Sequence, residues 1–440
     1  MRLLLKDGRV IDPAQGLDAQ LDVAIEDGRI AEVGRNLPPD AATVVAVPRG
    51  FIVCPGFIDM HVHLREPGQE HKETIETGLA AAAAGGFTAV ACMPNTVPVN
   101  DTASVTRYIV ERAAAVGTVR VYPIGAVTKG SKGEQLAEMG ELREAGCVAV
   151  SDDGRPVVPA LMMRRALEYA GMFGMPVINH CEDPSLKGEG VAHEGHVASV
   201  LGLRGIPASA EEIMVERDIV LAETTGGRAH IAHLSTRGSL RAVRAGKARG
   251  VRVTCEVTPH HLVLTDERLM APLSYDTNLK MNPPLRDVAD RSALLDGLAD
   301  GSIDAIATDH APHHWDEKRV EFDRAPFGIV GLETAVSLLL DRVVHAGVVT
   351  LARLVELCSA GPATILGVPG GTLAAGQPAD LTILAPDLPV EVKPERFRSK
   401  SRNTPFGGWK LRGGVAATIV GGRVVYANDD APGAGAFRTA

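Results

Sequence analysis

The chain has 440 residues, of which 45% are apolar, 22% charged and only 4% aromatic, and its net charge is −9. That length exceeds one small core, and the balance is that of a globular protein. The acidic charge, the absence of a Lys/Arg stripe and the scarcity of aromatic rings exclude nucleic acid as a partner. The richest apolar stretch, GLAAAAAGGFTAVACMP, holds two glycines and Pro94 and reads as helix, turn and strand, so no membrane span is expected.

The opening MRLLLKDGRVID has too short an apolar run before Lys6 and Asp7 for a signal peptide. Cysteines 54, 92, 147, 181, 255 and 358 show no CxxC spacing and mostly sit in apolar runs. Both features predict a cytoplasmic chain with reduced, buried thiols. LLLKDGRVID predicts a hairpin about an Asp-Gly turn, and LDVAIEDGRIAEVG repeats the pattern. ADLTILAP and AATIVGGRVVYAN, with its Gly-Gly turn, show the same style near the other end. Residues 1–54 and 368–440 are therefore expected to build one small composite, sandwich-like β-domain around residues 55–367.

The middle alternates short β-branched runs with helical stretches such as ETIETGLAAAAAG, LMMRRALEYAGMF and AEEIMVERDIVLAETTG. Eight runs qualify as strands: GFIDMHVHL, GFTAVACMPN, VRVYPIGAVT, GCVAVSDDG, MPVINHCED, GRAHIAHLS, VRVTCEVTPHH and SIDAIATDHAPH. The expected fold class is α/β, a (β/α)8 TIM-like barrel beside the composite β-domain. Most runs end in polar residues, and a barrel gathers its strand C-termini at one mouth. His61, His63, Asn95, Asp153, His180, His233 and Asp309 should meet there.

His61 and His63 are two apart on a strand and share a face, an arrangement suited to a zinc-sized cation. His180 and His233 add two neutral nitrogens, and carboxylates must offset the cation charge. Asp309 and Asp153 stand at suitable strand ends, with Asp153 the natural bridge between two metals and Asp152 turned away by alternation. A metal there lowers the pKa of water to roughly 7, and Asp309 can carry the proton to a leaving nitrogen. Arg65 should share the histidine face, and a cation so placed predicts a substrate carboxylate. Asn95 and His313 are candidates to share that anion, and Asn282, in the loop after the seventh strand, to touch a substrate ring. His260 and His261 are read as structural at the end of that strand, and His71, His193, His196 and His314 as solvated. The Gly-rich pieces lack the strand–GxGxxG–helix setting of nucleotide binding.

DMHVHLREPG and ATDHAPHHWDEK, the latter with Lys318, resemble the two signatures of the dihydroorotase family, within the amidohydrolase superfamily. The resemblance runs over essentially the whole chain. It implies metal ligands at His61, His63, Asp153, His180, His233 and Asp309, with Asp309 as general acid/base. It implies substrate contacts at Arg65, Asn95, Asn282 and His313, and backbone contacts at Phe327 and Gly328. The implied cofactor is Zn2+, one or two ions per subunit with a binuclear site favoured. The implied reaction is reversible interconversion of L-dihydroorotate and N-carbamoyl-L-aspartate in pyrimidine biosynthesis. Many relatives bridge the metals with a carboxylated lysine, whereas CVAVSDDG has none and resembles the bacterial class I subtype with an aspartate there. A homo-oligomer is expected, and assembly with aspartate transcarbamoylase is compatible with the resemblance. The competing readings are a hydantoinase, dihydropyrimidinase or allantoinase, and a non-catalytic partner of aspartate transcarbamoylase. Arg65 argues against the first two, and the complete ligand set argues against the last.

Overall fold

The computed structural model describes residues 2–40, 42–270 and 275–439. The eight runs become parallel strands: Phe57–Val62, Phe87–Cys92, Arg120–Gly125, Ala149–Ser151, Val177–Asn179, Ala229–Ile231, Val253–Val257 and Ala305–Ile306. They pair in sequence order as one eight-stranded sheet. The sheet closes where Val62 bridges His310, with the His63 N–H donating to the His310 carbonyl at 2.9 Å. This closure brings the two sequence signatures to the same rim.

Helices follow the strands as the apolar spacing predicts. Ile75–Ala84, Ala160–Gly171, Ala208–Thr225 and Arg237–Ala248 are among them. Thr74 and Thr236 cap the first and last of these, accepting the N–H groups of Thr77 and Ser239. Ile58, Met60, Ala89, Ala91, Ile124, Ile178 and Ala305 form a buried cluster joining strands that are not neighbours, so it fills the barrel interior. A larger cluster including Val90, Cys92, Leu79 and Ile109 lies between strands and helices. All six cysteines are buried and unpaired.

A second eight-stranded sheet draws Arg2–Asp12, Leu17–Glu26, Arg29–Gly34, Thr43–Ala46 and Ile52–Pro55 from one end of the chain. Leu381–Glu391, Lys410–Val420 and Arg423–Ala427 come from the other. Ile52–Pro55 joins the two groups, parallel to Arg2–Asp12 and antiparallel to Leu381–Glu391. The expected hairpins at Asp27-Gly28 and Gly421-Gly422 form. The first expected hairpin does not. Arg2–Asp12 is a single strand, and Asp7-Gly8 is a bulge in its pairing with Leu17–Glu26. Asp7 takes a φ of 56° there, and its N–H donates to Asp22 Oδ1 at 2.9 Å. The neighbouring strand continues past the Asp-Gly pair, so the local irregularity bends the strand without reversing it. Among the described residues no helix is long and apolar enough to cross a membrane.

Candidate active site

The barrel mouth opens into a cavity of about 240 Å³. Its lining includes His63, Arg65, Asn95, Asp153, His180, His233, Asn282, Asp309, His313, Phe327 and Gly328. His61 lies against them, fully buried. The structure thus gathers every candidate site residue at one place.

Asp153 is the centre of the group. Its Oδ1 lies 3.3 Å from His61 Nε2, 3.8 Å from His233 Nε2 and 3.9 Å from His180 Nδ1. Its Oδ2 lies 3.5 Å from His63 Nε2. Asp309 Oδ1 stands 3.1 Å from His63 Nε2 and 3.6 Å from His61 Nε2. Two triads have ligand atoms close enough to share an ion: His61, His63 and Asp309, and His61, Asp153 and His233. His61 Nε2 and Asp153 Oδ1 are buried and make no hydrogen bond despite their approach. Buried polar atoms are rarely left so, and atoms aimed at a common point without bonding one another suit a shared cation. The residues present therefore fit a metal site of the amidohydrolase type.

The outward ring nitrogens of His61, His63 and His180 are held by other side chains, whereas His233 Nδ1 is buried without a hydrogen-bond partner among the described residues. His61 Nδ1 lies 2.6 Å from Glu256 Oε1, and His63 Nδ1 lies 2.9 Å from Asn95 Oδ1. His180 Nε2 faces Glu182 Oε2 at 3.5 Å and Asn282 Nδ2 at 3.1 Å. Holding one ring nitrogen selects the other for a metal. Glu256 also approaches His230 Nε2 at 3.3 Å. Burial would raise the Glu256 carboxyl, but His61 and His230 outweigh it and bring it down to about 2. Burial likewise opposes ionisation of Asp153 and Asp309, and the histidines around them hold both below the usual carboxylate range.

Arg65 is buried, and burial pushes its guanidinium down to about 10 against the pull of Asp309 and Asp153. Its Nε donates to the Pro312 carbonyl at 3.1 Å, and no ion pair to it forms among the described residues. A buried guanidinium without a carboxylate partner is suited to an incoming anion. His313 Nε2 donates to the Phe327 carbonyl at 2.8 Å, and burial lowers the ring to about 4, so it is neutral. Arg65, His233 and Asp309 have φ of 64°, 33° and 49°, three of eight such non-glycine residues among those described. Backbone strain of this kind collects where surrounding structure dictates side-chain direction.

Chain-wide comparison gives close relatives. A dihydroorotase from Pelotomaculum thermopropionicum is 60% identical over 425 residues, 97% of this chain and 98% of the relative. One from Syntrophotalea carbinolica is 55% identical, covering 98% and 100%. The chain belongs to the dihydroorotase family. It is a cyclic amidohydrolase, and models of dihydro-orotase-like proteins and of the amidohydrolase family match residues 50–239 and 219–426. Among solved structures, a D-hydantoinase from a Thermus species is 28% identical with a TM-score of 0.80, covering 98% of this chain and 96% of that one. An L-hydantoinase from Arthrobacter aurescens shares the fold at 24% identity and a TM-score of 0.85, covering 96% and 95%.

Some placements differ from the dihydroorotase-like sequence reading. His260 and His261 lie on a short helix, Pro259–Val263, not on the seventh strand. His261 bridges Thr258 Oγ1 and the Pro283 carbonyl, at 2.8 and 3.0 Å. His193 is buried beside Arg286, at 3.2 Å from Nη1, and is not solvated. Asp152, by contrast, turns from the site as expected and accepts the Thr128 N–H at 3.0 Å. Glu256, Glu182 and Asp59 went unread. Asp59 Oδ1 accepts the N–H groups of His61 and Thr308, both at 3.1 Å, and ties the first strand to the eighth. A signal existed for two of them. Asp59 shares the two-residue spacing of His61 and His63, and Glu256 is a charge inside an apolar strand.

Proposed function

We propose that the chain catalyses the reversible hydrolysis of L-dihydroorotate to N-carbamoyl-L-aspartate, in the cytoplasm, as a step of pyrimidine biosynthesis. The observation that carries this reading is the buried Arg65, which has no ion-pair partner among the described residues, in the same cavity as the His/Asp cluster. A ring amide with a carboxylate beside it matches both halves of that cavity, whereas hydantoin or dihydropyrimidine rings offer no anion to Arg65.

In this reading His61, His63, Asp153, His180, His233 and Asp309 would hold two zinc ions. Four imidazoles and two carboxylates are a donor set suited to zinc. Bound there, the ions supply Lewis acidity, which acidifies water and polarises the carbonyl under attack. Arg65 and Asn95 orient the substrate carboxylate beside His313, and Asn282 and the backbone at Phe327 and Gly328 hold the ring. Asp309 Oδ1 accepts a proton from the attacking water and returns it to the departing ring nitrogen. The C–O bond forms as the ring C–N bond breaks, and the new acid's proton leaves to solvent. The barrel of 55–367 is the catalytic unit, with 1–54 and 368–440 as its β-domain. Self-association into a homo-oligomer belongs to the same reading, and mixing with aspartate transcarbamoylase in size-exclusion chromatography tests assembly with that enzyme.

The zinc-loaded chain should open dihydroorotate and leave hydantoin and allantoin essentially untouched. Comparable turnover of hydantoin, or none of dihydroorotate by metal-replete protein, refutes the assignment.

A further inference from the structure

We infer that Asn403, in the connection between Leu381–Glu391 and Lys410–Val420, is a positioning residue that sets the register of the substrate-binding wall. This rests on the proposed binding roles of His313, Phe327 and Gly328. No site motif includes Asn403, and it belongs to the part of the chain that carries the β-sheet of the two ends.

The side-chain amide is buried and uses both of its ends. Oδ1 accepts the His313 N–H at 3.1 Å. Nδ2 donates to the Ala311 carbonyl at 3.0 Å and to the Gly328 carbonyl at 3.2 Å. The Asn403 backbone carbonyl accepts the Val330 N–H at 3.0 Å. One residue thus satisfies four backbone groups on two segments, 311–313 and 328–330, and both segments line the cavity.

These segments have little regular structure to align them. The Ala311 N–H donates to the Ile329 carbonyl at 2.8 Å, and an isolated bridge joins His310 and Ile329. The packing is close: a Cβ at Gly328, whose φ is 108°, would lie 2.6 Å from Ala311 Cβ. His313 Nε2 spans the same gap to the Phe327 carbonyl at 2.8 Å. Only an amide offers an acceptor to one segment and two donors to the carbonyls of both. A carboxylate of the same shape keeps the acceptor and turns the other two contacts into repulsions. Displacing this wall moves His313 and the Gly328 backbone relative to Arg65, while the metal-ligand cluster stays held by Glu256, Asn95 and Glu182.

The test compares Asn403→Ala, Asn403→Asp and Ser401→Ala, each loaded with zinc. Ser401 lies on the same connection, with its hydroxyl donating to the Lys72 carbonyl at 2.7 Å, away from the cavity wall. Zinc content, melting temperature, KM and kcat for dihydroorotate are measured together. Both Asn403 variants should raise KM about tenfold or more, with kcat within about threefold and zinc content unchanged. Ser401→Ala should leave KM alone. Asn403→Asp fills the same volume, so a return to wild-type KM in that variant would show a packing role and overturn the inference. An unchanged KM in Asn403→Ala with only a lower melting temperature overturns it as well. Wild-type protein that holds zinc but leaves dihydroorotate intact would defeat the functional reading itself and this inference with it.

Discussion

Replacing Glu256 with glutamine asks how much of the metal site depends on a residue that would not touch the metal. The carboxylate is fully buried and ionised, 2.6 Å from His61 Nδ1. Glutamine keeps the shape and one acceptor oxygen but removes the charge. A hydrogen bond to a charged group is worth about 1.5–3 kcal/mol net, against about 0.5–1.5 for a neutral pair. The difference, about 1–2 kcal/mol, falls on the ligating form of His61. At about 1.4 kcal/mol per decade, zinc should bind roughly 5- to 30-fold more weakly. That lies near the range of about 10- to 100-fold common for outer-shell partners of ligating histidines. The new amide N–H groups also meet His230, whose Nε2 now faces the carboxylate at 3.3 Å. The assay is zinc competition against a chromogenic chelator at neutral pH, with the melting temperature of metal-free protein as the control for folding. Zinc affinity within twofold of wild type, in a variant that folds normally, would refute the argument that Glu256 fixes His61 as a ligand.

Asp309→Asn should retain part of its zinc and lose at least about a hundredfold in kcat, the scale of general acid–base catalysis; near-normal turnover would remove Asp309 from proton transfer. Arg65→Met should weaken transition-state binding of dihydroorotate by about 2–4 kcal/mol, as loss of one partner of a buried charge pair does. It is read from kcat/KM, and an unchanged value argues against the carboxylate grip. Stability should also depend on Glu211, which lies 3.5 Å from Arg286 Nη2 and accepts the Ser235 N–H at 3.0 Å just beyond His233. Burial would raise that carboxyl, but Arg286 and Ser235 outweigh it and hold it below its ordinary 4.5. Its contribution is therefore complete above about pH 4.5 and is lost as the pH falls through the lower folded value. The melting-temperature gap between wild type and Arg286→Met should be wide at pH 7 and narrow in acid; a gap that does not change with pH contradicts the pairing.

Much of the site is legible in one dimension. The eight strand runs, the histidines and aspartates at their ends and the hairpins near both termini follow from period-two alternation and turn chemistry, which are local properties. Asp153 stands out because it follows the fourth strand run, where many relatives carry a lysine, and its neighbour Asp152 turns the other way. Arg65 was readable because it keeps the spacing of His61 and His63. The Asp7-Gly8 pair shows where such reasoning fails: the dipeptide allows a turn, but the continuing partner strand makes it a bulge.

What chain order alone determined was the set of groups presented at the barrel mouth, because each closely follows an apolar strand run; of the six ligand candidates only His61 lies within a strand, so alternation fixes the face of that residue alone. Tertiary structure decided the rest. Closure at Val62 and His310 brought Asp309 to His63 across 246 positions. Arg65, His233 and Asp309 take left-handed backbone, which the spacing of the motifs does not announce. Glu256 met His61 across 195 positions, and Asn403 met Ala311 across 92. Contacts between distant residues depend on how whole elements dock, and no local periodicity encodes that docking.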